Sequence, residues 1–200
     1  MRVPAAYLAI GYATSEYPMA ESFPNVTRTT PDSSFRSGTD WRAAAWSGVI
    51  AGLVFMMAEM LLVWLAMGMS PWAPPRMMAA MVLGKGILPP PDDFSLLAIM
   101  TAMMIHLPLS ALYGLILGSL VHRLDMLKAI LVGMAFGLIA IYGVNFYLVA
   151  PAVFPWFVDA RNWIGVVSHA IFGVVAAAVY ISMRRSDGAR GVTQRSTTAA

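Results

Sequence analysis

Four mainly apolar runs, at about residues 43–67, 95–121, 129–150 and 163–183, dominate this chain. A helix needs about 20 such residues to cross a bilayer core. In lipid every backbone polar group must find its partner within the structure, so runs of this length predict helices. The second run, Phe94 to Val121, carries no Asp, Glu, Lys or Arg, yet contains His106, Pro108, Ser110 and Tyr113. His106, Ser110 and Tyr113 fall at i, i+4 and i+7, on one helical face. A polar stripe of this kind is expected to look inward, away from acyl chains. Pro108 removes a backbone donor and frees the carbonyl of Met104, which predicts a kink beside His106.

Composition agrees with a membrane chain. Of 200 residues, 59% are hydrophobic and 12% charged, against about 25% charged in soluble domains. The absence of cysteine excludes disulfides, thiolate metal sites and cysteine nucleophiles. A net charge of +3, scattered along the chain, gives no basis for a nucleic-acid partner. Serine-hydrolase, Walker and dinucleotide fingerprints are lacking, and a non-enzymatic role is expected.

Residues 1–40 and 184–200 are polar without sustained periodicity and are expected to be disordered tails; Met19 is an alternative start to Met1. Between the first two spans, residues 70–93 form a loop in which two proline clusters fence Arg76 to Leu88. Its methionines and leucines, with a single Arg and Lys, suit a helix lying in the membrane interface. Four spans place both termini on one side. That side holds Arg2, Arg28, Arg36, Arg42, Arg123, Lys128, Arg184, Arg185, Arg190 and Arg195; the other holds Arg76, Lys85 and Arg161. The positive-inside rule then puts the termini in the cytoplasm and the two aromatic, proline-rich loops outside. Arg161, beside Asp159, reads as an interfacial anchor.

Small residues mark the packing faces. Gly48, Gly52, Phe55 and Glu59 share one face of the first span, Gly133 and Gly137 lie four apart in the third, and Gly165 and Gly173 flank His169 in the fourth. At 1.5 Å per residue, Glu59, His106, Asn145 and His169 all fall in the outer half of the bilayer, roughly 7–17 Å deep. Asn145 is offset from the Gly137 face by about 80° at 100° per residue. A buried polar layer of Glu59, His106, Ser110, Tyr113, Asn145 and His169 is expected. Hydrogen bonding between helices accounts for each member singly. Three sharper readings stand beside it: a metal site of Glu59, His106 and His169, a bis-imidazole haem on His106 and His169, and a proton relay through Glu59 and a histidine. Met77, Met78 and Met81 near Pro74 and Pro75 read as apolar filler rather than a soft-metal surface.

Three strings, SPWAPPRMMAAMVLGKGILPPP from Ser70, NFYLVAPAVFPWFVDARNW from Asn145 and SHAIFG from Ser168, carry a resemblance over about residues 41–183. The chain resembles a group of small, uncharacterised four-span bacterial inner-membrane proteins, some of them labelled sodium:proline symporter. Carriers of that class depend on two multi-span inverted repeats with broken helices, which four spans supply only in a homo-oligomer. The expectation is an all-α, integral inner-membrane four-helix bundle acting as a structural or accessory subunit, in the lipid bilayer and against a larger membrane complex or as a homo-oligomer. A haem- or metal-binding redox protein and a small oligomeric transporter or proton-handling protein are the alternatives.

Overall fold

Asp40 starts the first helix, its carboxylate accepting from the Ala43 backbone N at 3.0 Å. Such a cap satisfies one of the donors that a helix start leaves unpaired. In the computed structural model, which describes residues 38–198 except Asp92, with side chains as far as Arg184, α1 runs from Trp41–Met67 and stops at Gly68, whose φ is +66°. Only glycine adopts that conformation without strain. Two prolines in its first turn open α2, Ala73–Leu83, and Gly84 at φ +82° closes it. A 3-10 turn, Lys85–Ile87, follows. α3, Leu96–Val121, is capped by Ser95 and continues unbroken through Pro108. α4 spans Met126–Val153. Its cap is Asp125, which accepts from the Lys128 backbone at 3.1 Å and lies 2.8 Å from the Lys128 ammonium. Those hydrogen bonds hold the Asp125 carboxyl below the usual carboxylate range. The cap is therefore intact at neutral pH and is lost only as pH falls through that lowered value. After a 3-10 turn, Pro155–Ala160, α5 runs from Trp163–Thr198, with the Asn162 side chain accepting from Ile164 and Gly165.

Among the described residues there is no strand, and α1, α3, α4 and the Trp163–Arg184 part of α5 are long and apolar enough to cross a membrane. They pack in the order α3, α1, α5, α4, whereas α3 and α4 make few contacts with each other. The close seams are built from small residues. A Cβ on Gly48 would meet the Ser110 carbonyl and Gly114, and one on Gly137 or Gly173 would meet His169 or Gly133 backbone. Glycine at these positions lets helix backbones touch. Leu117, Val121, Ala176, Ala177, Tyr180 and Ile181 close the core at the end of the bundle where α1 begins and α3 ends.

The segment expected as a surface helix from Arg76 to Leu88 is shorter and starts earlier. It buries Ala73, Pro75, Arg76, Ala79 and Ala80, largely against α3. Beyond residue 184, where a disordered tail is expected, the backbone is helical to Thr198. The third span is not a regular α-helix: Phe136–Gly143 and Asn145–Val149 are π-helical. The expected tail 1–40 lies outside the described residues but for its last three, as does Met19.

Candidate functional site

The π winding begins where α4 passes His169 and ends at a proline. In the i→i+5 ladder the Ala150 N–H donates to the Asn145 carbonyl, so the next donor, at residue 151, would serve the Phe146 carbonyl. Residue 151 is proline and has no N–H. Arg161 supplies the missing donors, its Nε at 2.8 Å together with Nη2, while its guanidinium carbon lies 4.5 Å from the Tyr147 ring centroid. Arg161, expected as an interfacial anchor beside Asp159, caps the interrupted helix at the Phe146 carbonyl. No salt bridge to Asp159 exists among the described residues.

α2 is held in place from both sides. Arg76 is buried, with its Nε donating to the Asp93 carbonyl at 3.0 Å and its Nη2 reaching the Asp93 carboxylate at 2.5 Å. On the other side the Trp156 indole donates to the Met77 carbonyl at 3.3 Å, and the Lys85 ammonium sits 5.8 Å from the Trp156 ring centroid. α2 and the Pro155–Ala160 turn thus form one cover over the end of the bundle where α1 finishes.

Beneath that cover is a cavity of about 400 Å³. Glu59, His106, Ser110, Tyr113, Asn145 and His169 all line it, so every residue of the expected polar layer meets in one space. Phe55 touches both imidazoles, stacking on His106 at 5.4 Å between centroids and meeting His169 edge-on at 4.8 Å. Tyr142 and Phe146 complete the surround of His169, at 5.3 and 5.5 Å. Each histidine spends one N–H on a backbone carbonyl. His106 Nε2 donates to Gly52 at 2.8 Å, and His169 Nδ1 donates to Gly165 at 2.6 Å. The neutral rings therefore keep a lone pair on His106 Nδ1 and His169 Nε2. Asn145 Nδ2 donates to the Tyr113 hydroxyl at 2.8 Å, joining α3 to α4 where these helices otherwise stand apart. Glu59 has no ion pair or hydrogen bond among the described residues.

The geometry separates the sharper readings. Glu59, His106 and His169 share the cavity, but no three His, Cys, Asp or Glu side chains among the described residues stand close enough to hold a metal ion. The Phe55 ring packed on both imidazoles explains the spacing. For a haem between α3 and α5, His106 would have to give up its Nε2 bond to Gly52 or coordinate through Nδ1. Residue-by-residue reading missed the rest of the wall. Met67, Met69, Met77, Met78 and Met81 line the cavity, as do Phe154, Phe157 and Asp159. The methionine cluster near Pro74 is the signal the sequence offers for it, although methionines there read equally well as apolar filler. The chain matches no protein-family model, no curated protein and no solved structure.

Proposed function

We propose that this chain is a multi-pass inner-membrane protein, with cytoplasmic termini, that holds a small lipophilic molecule in the covered cavity. The observation that carries this reading is the convergence of all six polar-layer residues on a single space of about 400 Å³. Pockets for small molecules commonly run from about 300 to 1,000 Å³, mostly apolar with a few convergent polar groups. Asn145 and Tyr113 pair with each other, but residues that only fixed helix register would be expected to pair throughout and leave no such space. The test is saturable binding of a neutral apolar fluorophore, 1-N-phenylnaphthylamine, to protein-loaded nanodiscs. One site per chain is expected, abolished in Met78→Trp, which fills the cavity from α2. Partitioning identical to that of empty discs would overturn the proposal. An absorbance spectrum without a Soret band, and no stoichiometric metal, are the companion expectations.

A second reading, an accessory subunit of a larger membrane complex, is favoured by Tyr147, Leu148 and Val153, exposed along one end of α4. Co-purification of a defined partner in mild detergent supports it, and a solitary chain counts against it.

A further inference from the structure

The cavity wall has a charge and hydrogen-bond character that narrows its occupant. No Lys or Arg lines it, whereas Glu59 and, at its mouth, the exposed Asp159 do. Both imidazoles have committed their N–H groups to backbone carbonyls, so in the neutral form they offer lone pairs and no donors. Asn145 has spent one amide hydrogen on Tyr113 and keeps its carbonyl oxygen as an acceptor. The remaining wall is mostly apolar, with Phe55, Phe146 and Phe172 and five methionines set among aliphatic side chains. Aromatic faces attract cations through their quadrupoles, and methionine adapts to irregular apolar shapes. The hydroxyls of Ser110 and Tyr113 and the second Asn145 amide hydrogen supply neutral donors, but the charge on the wall is carboxylate, with no Lys or Arg to balance it.

A bare metal ion fits this poorly. Protein ligands to zinc approach to about 2.0–2.3 Å, and the ionisable ligands here do not converge. An anion would face Glu59 and Asp159 with no Lys or Arg to receive it. Resting on the cavity being a binding site, we infer that its occupant is a lipophilic organic cation with an N–H donor, an aromatic or alkyl ammonium whose charge lies against Glu59 and whose apolar body lies among the rings and methionines. The two imidazole lone pairs and the Asn145 carbonyl accept its remaining hydrogens. Tyr113, tied to Asn145 across the gap between α3 and α4, positions that acceptor.

The experiment compares three probes of one shape in protein-loaded and empty nanodiscs: 4-phenylbutylammonium, neutral phenylpentane and anionic 4-phenylbutyrate. The cation is expected to bind with a Kd about 30-fold or more below those of the other two, the size of effect that follows from pairing a desolvated charge. Glu59→Gln, which keeps the side-chain shape, is expected to remove that preference and leave phenylpentane binding unchanged. Tighter or equal binding of the neutral or anionic probe would overturn the cation assignment while leaving the cavity a binding site. No saturable binding of any probe would overturn both. If Glu59→Gln failed to fold, His106→Gln tests the same preference through the loss of an acceptor at Nδ1. A cation preference unchanged in both variants would refute the assigned contacts.

Discussion

Ser168 is a residue whose chemistry the fold does not use. Its hydroxyl is fully buried and finds no hydrogen-bond partner among the described residues, although it lies beside His169, whose ring is paired. A buried polar group left unmade costs about 1–3 kcal/mol. Ser168→Ala removes the hydroxyl and little volume, so a stability gain of up to about 1 kcal/mol is expected, read as a raised melting temperature in detergent. A fall of similar size would mean that the hydroxyl has a partner in solution. His169 illustrates the opposite case. Its Nδ1–H bond to Gly165 fixes tautomer and ring plane together, and glycine at 165 leaves room for the Tyr142 ring, which a Cβ there would meet at 3.0 Å.

Among the elements, α4 departs furthest from what its residues suggest, and the reason is physical. The four apolar runs were legible because length and hydropathy alone decide them. The buried faces were legible from the 3.6-residue period: Gly48, Gly52 and Phe55 are buried, and Glu59 follows them into the cavity. Asn145 was legible by its depth but not by its face, because its 80° offset assumes 100° per residue, and i→i+5 winding turns each residue through less. That winding ends beside a tertiary contact, Arg161 on the Phe146 carbonyl, which no local pattern announces. The Met-rich segment was equally opaque, since methionine fills cores and lines cavities alike. A double-mutant cycle tests the coupling. Arg161→Met is expected to cost about 1.5–3 kcal/mol, as for a hydrogen bond from a charged donor. In a Pro151→Ala background, where residue 151 regains an N–H for Phe146, the same change should cost markedly less. Equal costs in both backgrounds, measured by chemical denaturation, would show that Arg161 does not compensate for the proline.

At the scale of the molecule the two ends of the bundle are built by different rules. Where α1 begins, Ala43, Ala44 and Gly118 let helices touch, and Tyr180 packs beneath them with its hydroxyl accepting from the Asp40 backbone at 3.3 Å. Where α1 finishes, Phe55, Phe172 and the methionines hold the helices apart, and α2 with the Pro155–Ala160 turn covers the space. Two seams of the same construction support this shape. Gly48 and Gly52 on α1 meet Ser110 and Gly114 on α3, and Gly133 and Gly137 on α4 meet His169 and Gly173 on α5. Close contact runs along one half of each pair, and bulky side chains line the cavity along the other. Because the chain has no cysteine, single cysteines can report on the two ends separately. Met78→Cys on the cover is expected to react readily with a polar maleimide in nanodiscs, and to react more slowly when 4-phenylbutylammonium saturates the cavity. Val121→Cys, in a fully buried position at the tight end, is expected to stay unmodified until the protein is denatured. Comparable labelling of the two positions in the folded protein would contradict a bundle that is closed at one end and hollow at the other.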